Sequence, residues 1–326
     1  RGNKWAAYLD KYLLFPKRVK NKLQSLSYPV DLVHIIDHSN AVYLPQLNRF
    51  SKAKKMITCH DLIAVRTAHG EFPQAPKTSR SGKRLQRWIY NSLEHADYYA
   101  CDSLQTKQDL ARLVPCSKLK SAVCHLGTET NFPTTEKQRS SIEKLPFNPS
   151  KTNYLLHVGS AAWYKNRKAV CKAFRHACEN LPNLDLKLIL VGPKPQDGEL
   201  DAGLSDWFQA NPNALICLND ICENSLGELY KHAKAMVFPS HIEGFGWPPL
   251  EAAVHGCPVI TTRTGAISDL LGKYPHYVDA DVQASIDQAV LQALQSPDQK
   301  NVPISLPSHD DCRERYYDLY DQVIKN

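Results

Sequence analysis

Three short stretches of this sequence hold residues whose types and spacing could do chemistry. In the first, Glu243 and Glu251 lie eight apart around a Gly244-Phe245-Gly246 turn that reads as the join between a strand and a helix. Glycine permits positive φ and lets a ligand approach the backbone. A helix N-terminus presents free N–H groups and partial positive charge, so it can bind phosphate. Pro248 and Pro249 have no N–H, which leaves Gly246, Trp247, Leu250 and Glu251 as donors. Both carboxylates can face one crevice; the plainer alternative is a tight strand-to-helix turn with a capping Glu. The second stretch runs from His157 through Gly159 to Lys165 and pairs a close backbone approach with a cation, as an anion site needs. In the third, His60-Asp61 ends a strand: either a local hydrogen bond or a histidine aimed into a cleft.

Taken whole, residues 238–260, F-P-S-H-I-E-G-F-G-W-P-P-L-E-A-A-V-H-G-C-P-V-I, resemble the E-x7-E signature of the retaining glycosyltransferases of family four. H-V-G-S-A-A-W-Y-K-N at 157–166 resembles that family's V-G-x-x-x-x-R-K-N turn, with Tyr164 where Arg is usual. T-C-H-D-L at 58–62 resembles its H-D-L, and A-C-D-S at 100–103, L-G-T at 126–128 and L-N-D-I at 218–221 follow the family's progression. The resemblance covers about residues 30–325 and implies a GT-B fold: two Rossmann-like α/β domains facing across a cleft, with a C-terminal helix returning to the first.

By that resemblance, Gly159 and Ser160 let the donor diphosphate approach, and Lys165 neutralises it, with Arg167 as a second cation. Asp220 and Ile221 meet the nucleotide base. Phe245, Gly246 and Trp247 line the donor site, Glu243 holds the hydroxyls of the transferred sugar, and Glu251 binds the donor ribose. His60 lines the sugar site from the other domain. The catalytic set is Glu243, His60 and Lys165. No metal or other cofactor is needed, and the departing phosphate takes the acceptor's proton. The implied reaction moves a hexose, with retention, from a nucleotide diphosphate sugar to a hydroxyl of a glycan or lipid-linked acceptor in cell-surface polysaccharide synthesis. The Lys-Asn after the glycine turn slightly favours GDP-mannose over UDP- and ADP-sugars. Two alternatives share the architecture: a sugar-nucleotide epimerase, and a catalytically inactive nucleotide-sugar binding module.

The elements that must position these residues are legible as alternation. Apolar runs of four to six residues predict strands at 32–36, 55–59, 98–101, 121–125, 154–158, 186–191, 214–218, 235–238 and 258–261. Runs apolar nearly throughout are what parallel strands covered on both faces look like. Helical patterns fall between them at 83–95, 104–113, 167–180, 225–232, 249–255 and 284–295, with Ser103 and Ser225 as expected N-caps. A polar stretch from 131 to 153 interrupts the alternation and reads as a linker. The expected domains are 1–148 for the acceptor and 149–305 for the donor. A helix at 306–326 packs back on the first, offering Tyr316, Tyr317, Leu319, Tyr320 and Val323. The first clear strand comes thirty residues in, so an N-terminal strand is expected to be missing from the chain.

With 326 residues and 43% hydrophobic content, wholesale disorder is excluded and about two domains are expected. Net charge is +7 but uneven: residues 1–150 carry 24 Lys and Arg against 12 Asp and Glu, and the remainder 16 against 21. A basic first half suits an anionic membrane face or a phosphorylated acceptor. Nucleic acid is disfavoured, because Arg80, Lys83, Arg84 and Arg87 come without aromatic interleaving or a recognition motif. The ten cysteines show no C-x-x-C spacing and read as reduced thiols. No apolar run approaches membrane-spanning length. The expected location is therefore cytoplasmic, peripheral on the inner face of the membrane. Asp279-Ala-Asp281 has the look of a metal-binding D-x-D, but it sits in a turn before a helix with no other ligands nearby in sequence.

Overall fold

The structure, a computed structural model, describes residues 9–118, 120–128, 145–196, 198–296 and 304–325. Its contacts divide the chain into two compact units, Arg1–His125 with Asp311–Asn326, and Leu126–Asp310. The division therefore falls earlier than residue 148. Of the expected linker, 129–144 lie outside the described residues, and Pro149–Lys151 is a short 3-10 turn leading into the next strand.

In the first unit four strands run in sequence order: β1 (Leu32–Ile35), β2 (Lys54–Cys59), β3 (Tyr98–Cys101) and β4 (Ser121–Val123). All pairings are parallel. Ile36, expected inside β1, lies beyond its end and is exposed. One face of the sheet packs a core that includes Ile57, Cys59, Leu93, Tyr99 and Leu110. On the other, Met56, Ala100, Ala122 and Cys124 meet Leu319 and Val323 of the helix His309–Lys325. That helix does return to the first unit; of its apolar residues, Tyr317 faces solvent instead of packing.

The second unit holds a six-stranded parallel sheet in the order β10-β9-β8-β5-β6-β7. Its strands are β5 (Asn153–Val158), β6 (Leu186–Val191), β7 (Leu215–Leu218), β8 (Ala235–Phe238), β9 (Val259–Thr261) and β10 (His276–Tyr277). Because side chains alternate along a strand, Tyr154 and Leu156 join the core on one face while Leu155 joins the core on the other. β8 is buried at all four positions, as a central strand covered by helices must be. The strand order reverses between β5 and β8. In open α/β sheets the ligand crevice lies outside the carboxyl ends of the strands at such a switch point. The two loops leaving β5 and β8 there are those singled out by their residues.

The helices Leu104–Leu113 and Arg167–Asn180 lie where expected. Ser103 caps the former by accepting from the Thr106 amide. Ser225 is not a cap: the helix Glu223–His232 begins two residues earlier, after Cys222, and Ser225 is buried inside it. Five helices lie outside the expected set: Phe15–Gln24, Leu44–Phe50, Ile63–His69, Ala202–Ala210 and Ile267–Leu271. Most are short or strongly polar, so tertiary packing rather than pattern fixes them. Among the described residues no helix is long and apolar enough to cross a membrane. Each unit is a Rossmann-like α/β domain built on a parallel sheet.

Candidate active site

Three segments build the candidate site of the second unit. The first leaves β5 at Gly159, whose amide donates to Val191 O (2.9 Å). A Cβ on Gly159 would stand 3.5 Å from Lys165 Cδ, so the lysine stem lies over this glycine. The loop closes at Asn166, held at φ 52°. Its side-chain amide donates to Pro239 O (3.1 Å) and Ala280 O (3.0 Å), which ties the loop to the segment leaving β8. The Asn of the Lys-Asn pair is thus a clamp.

The second segment leaves β8 and carries Glu243, which is 7% exposed. Lys165 Nζ lies 2.9 Å from its Oε1 and 3.1 Å from its Oε2, and 4.7 Å from the centroid of the Phe238 ring. The Glu243 amide donates to Thr264 Oγ1 (2.9 Å), a support that no local pattern in the chain announces. An ammonium has three N–H donors, and two go to this carboxylate. The pair can therefore hold a neutral hydroxyl-bearing ligand on Glu243 and still direct positive charge at an anion.

The third segment is the turn at Gly246 (φ 92°) and the helix Trp247–Val254. A Cβ on Gly246 would come within 2.7 Å of Ile267 Cγ1, so both the backbone angle and the packing demand glycine. The helix starts at Trp247, ahead of the expected Pro249, so the Trp247 amide belongs to its first turn. Phe245 does not present its ring to a ligand. It is 6% exposed, packs in the core and sits 4.7 Å from the Trp247 ring, so only its backbone remains for binding.

Arg167 is also placed differently from expectation. It is buried against Glu199, to which its Nε and Nη2 each donate at 2.6 Å, and it donates to Pro193 O as well. That makes it a structural strut with all three nitrogens engaged, and leaves Lys165 as the cation of this loop that reaches Glu243. Tyr164, in the place of the usual Arg, lies 5.5 Å from Lys165 Nζ at its ring centroid. His157, on β5 below the loop, donates from Nδ1 to Val237 O (2.9 Å). Burial pushes its pKa down to about 4, so it stays neutral.

Ser160 is exposed at the rim of the loop, and its Oγ accepts weakly from the Ala162 amide (3.4 Å). Asp220 is exposed with φ 53°, and Ile221 packs partly against the core. Glu251 lies on the helix Trp247–Val254, where burial raises its pKa. It lines a cavity of about 480 Å³ together with Trp247, Leu226, Glu223 and Tyr230. Asp279 and Asp281 are exposed; the Asp281 amide donates to Asp279 Oδ1, and Asp281 Oδ1 lies 3.3 Å from His241 Nδ1.

In the first unit, His60 sits at the end of β2 and is half-buried. Its Nδ1 donates to buried Asp102 (2.7 Å) and its Nε2 to Ile36 O (2.8 Å). The Asp102 hydrogen bond pushes its pKa up to about 9 against the opposing effect of burial, so the ring is an imidazolium at neutral pH. Both ring nitrogens are engaged, so His60 offers a ligand positive charge rather than a hydrogen-bonding nitrogen. Asp102, quoted in the sequence only as part of A-C-D-S, is its orienting partner.

Comparison with known proteins adds to this geometry. The model of the family described as glycosyl transferases group 1 matches residues 138–305, just over half of the chain. The chain is 25% identical over 247 residues to a serotype-specific mannosyltransferase WbdA of Escherichia coli, covering 71% of this chain and 28% of that protein. It is 30% identical over 161 residues to the O-antigen chain mannosyltransferase RfbU of Salmonella typhimurium, covering 49% of this chain and 44% of that one. The chain thus spans less than half the length of either relative. Among solved structures it resembles sucrose-phosphate synthase from Thermosynechococcus elongatus, with TM-score 0.67 and 22% identity, over 95% of this chain and 74% of that one. At that identity the likeness is one of fold.

Proposed function

We propose, from the premise that this chain belongs to the glycosyl transferases group 1 family, that it is a retaining, metal-independent hexosyltransferase. Its donor is a nucleotide diphosphate sugar, with GDP-mannose favoured. Its acceptor is a hydroxyl of a glycan or lipid-linked saccharide, and its setting is cell-surface polysaccharide synthesis. The observation that carries the reading is the Lys165–Glu243 pair, buried beside the Gly246 turn at the switch point of the second sheet. The mannosyltransferase relatives support both the donor sugar and the polysaccharide setting.

In this mechanism the bond between the anomeric carbon and the diphosphate oxygen breaks as the acceptor oxygen bonds the same face of the sugar. The acceptor's proton passes to the departing phosphate. Lys165 and the Trp247 amide would stabilise the charge growing on that phosphate, being fixed before the reaction begins. Glu243 would hold the sugar's hydroxyls, and Glu251 the ribose. His60 would add positive charge near the sugar.

The acceptor reading includes an anionic membrane face, with the protein peripheral on its cytoplasmic side. Its support is the exposed cations of the helix Arg80–Leu93, namely Arg80, Lys83, Arg84 and Arg87. A cosedimentation assay checks this part: equal binding to neutral and anionic vesicles would remove it.

The central test is a nucleotide-sugar screen by thermal shift, followed by hydrolysis and transfer assays with the best binder. Glu243→Ala should lose turnover by about 100-fold or more, the scale of losing one transition-state contact in a preorganised site. A flat screen, or turnover indifferent to Glu243→Ala, would sink the proposal.

A further inference from the structure

Glu251 has a partner that anchors it from behind. Tyr230, near the end of the helix Glu223–His232, is 1% exposed, and its hydroxyl donates to Glu251 Oε2 at 2.8 Å. Burial beside the Glu251 carboxylate drives the Tyr230 pKa well above its usual value, so the phenol keeps its proton and remains a donor. The ring itself is fixed: it stacks on His255, with centroids 5.8 Å apart and planes at 24°. Gly227, one turn earlier, allows that approach, since a Cβ there would stand 3.1 Å from the His255 ring. Both Tyr230 and Glu251 line the 480 Å³ cavity that also takes in Trp247.

We infer that Tyr230 is a positioning residue for nucleotide binding: by holding Glu251 Oε2 it directs Oε1 at the cavity, as the acceptor for a ribose diol. This deepens the proposed donor reading and rests on it. The physical reason is entropic and electrostatic together. A Glu side chain loses rotamer freedom when it is fixed. A tyrosine that fixes it during folding removes that cost from binding, which is how preorganisation raises affinity. The same hydrogen bond favours the ionised carboxylate and so opposes part of the upward push that burial gives the Glu251 pKa.

The test uses calorimetric affinities of GDP, UDP and ADP and of their 2′,3′-dideoxy forms, for the unmodified chain and for Tyr230→Phe. This substitution removes only the hydroxyl, and a melting curve checks that the variant folds. For the best-binding nucleotide, Tyr230→Phe should weaken the ribose form about 10-fold, the scale of losing one hydrogen bond to a charged group. It should leave the dideoxy form within about twofold, and adding it to Glu251→Gln should weaken binding no further. Equal weakening of both forms, or no weakening of either, overturns the inference while leaving the donor reading intact. If none of the three nucleotides binds the unmodified chain, the donor reading falls and this inference with it.

Discussion

Replacing Lys165 by Met tests the centre of the site without asking which sugar is bound. The substitution keeps a long apolar stem over Gly159 and removes the ammonium that lies 2.9 and 3.1 Å from the two oxygens of Glu243. The side chains of the pair are 12% and 7% exposed, so the carboxylate left behind is nearly cut off from water. Stranding a buried charge in this way costs about 3–5 kcal/mol. Glu243→Gln should cost less, because the ammonium at the end of a flexible stem can turn toward solvent. The double variant, Lys165→Met with Glu243→Gln, removes both charges and should return most of the lost stability. The expected coupling energy is at least about 2 kcal/mol, in the upper part of the range for residues in direct contact. Urea unfolding of the four proteins at pH 7 measures it. A repeat at pH 5 should show a smaller penalty for Lys165→Met alone, because the stranded carboxylate gains by taking a proton. A Lys165→Met cost below about 1 kcal/mol, or simple additivity of the two substitutions, would mean the pair is screened like a surface ion pair. The case for a preorganised charge at the proposed diphosphate site would then be lost.

Two further outcomes follow from the geometry. Asp102→Asn removes the partner that holds the His60 pKa at about 9. A rise of that size over 6.5 would be worth about 3 kcal/mol undiminished, and the partly exposed ring reduces it to about 1 kcal/mol. Because the folded pKa is raised, this contribution is fully present below pH 6.5 and lost as pH rises through 9. The stability difference between the unmodified and variant proteins should therefore shrink between those values, as pH-dependent melting would show. A difference that grows over that window would contradict the pairing. Gly246→Ala should lower stability by about 2–4 kcal/mol, combining a disfavoured positive φ with overpacking against Ile267. A melting temperature within a degree of the parent's would show that the turn is not held as described.

The site was partly legible because its requirements are local. A glycine that must take positive φ, prolines in the first turn of a helix and apolar runs long enough for a buried strand all depend on neighbours in sequence. Gly246, the helix that follows it and nine strands could thus be read from the chain, along with Glu243 and Lys165 as separate residues of interest. The charges of the loop could not be apportioned in the same way. Arg167 and Lys165 are two residues apart and of like charge, but one ends on Glu199 and the other on Glu243. Phe245 sits between Glu243 and Trp247 and is core, because the turn points its ring inward.

The sequence by itself determined the class of fold, the alternation that builds two parallel sheets and the motifs that place the chain in its family. These are short-range properties, set by side-chain periodicity and backbone sterics. Only the tertiary structure decided which groups meet. Lys165 and Glu243 lie 78 residues apart, and His60 and Asp102 are separated by 42. Tyr230 finds Glu251 from a different helix, and the return of Leu319 to β2 and β3 closes the first unit with the end of the chain. Such contacts depend on strand order, and strand order follows from how distant segments pack. The reversal between β5 and β8 is what brings a lysine and a glutamate from separate loops into one ion pair.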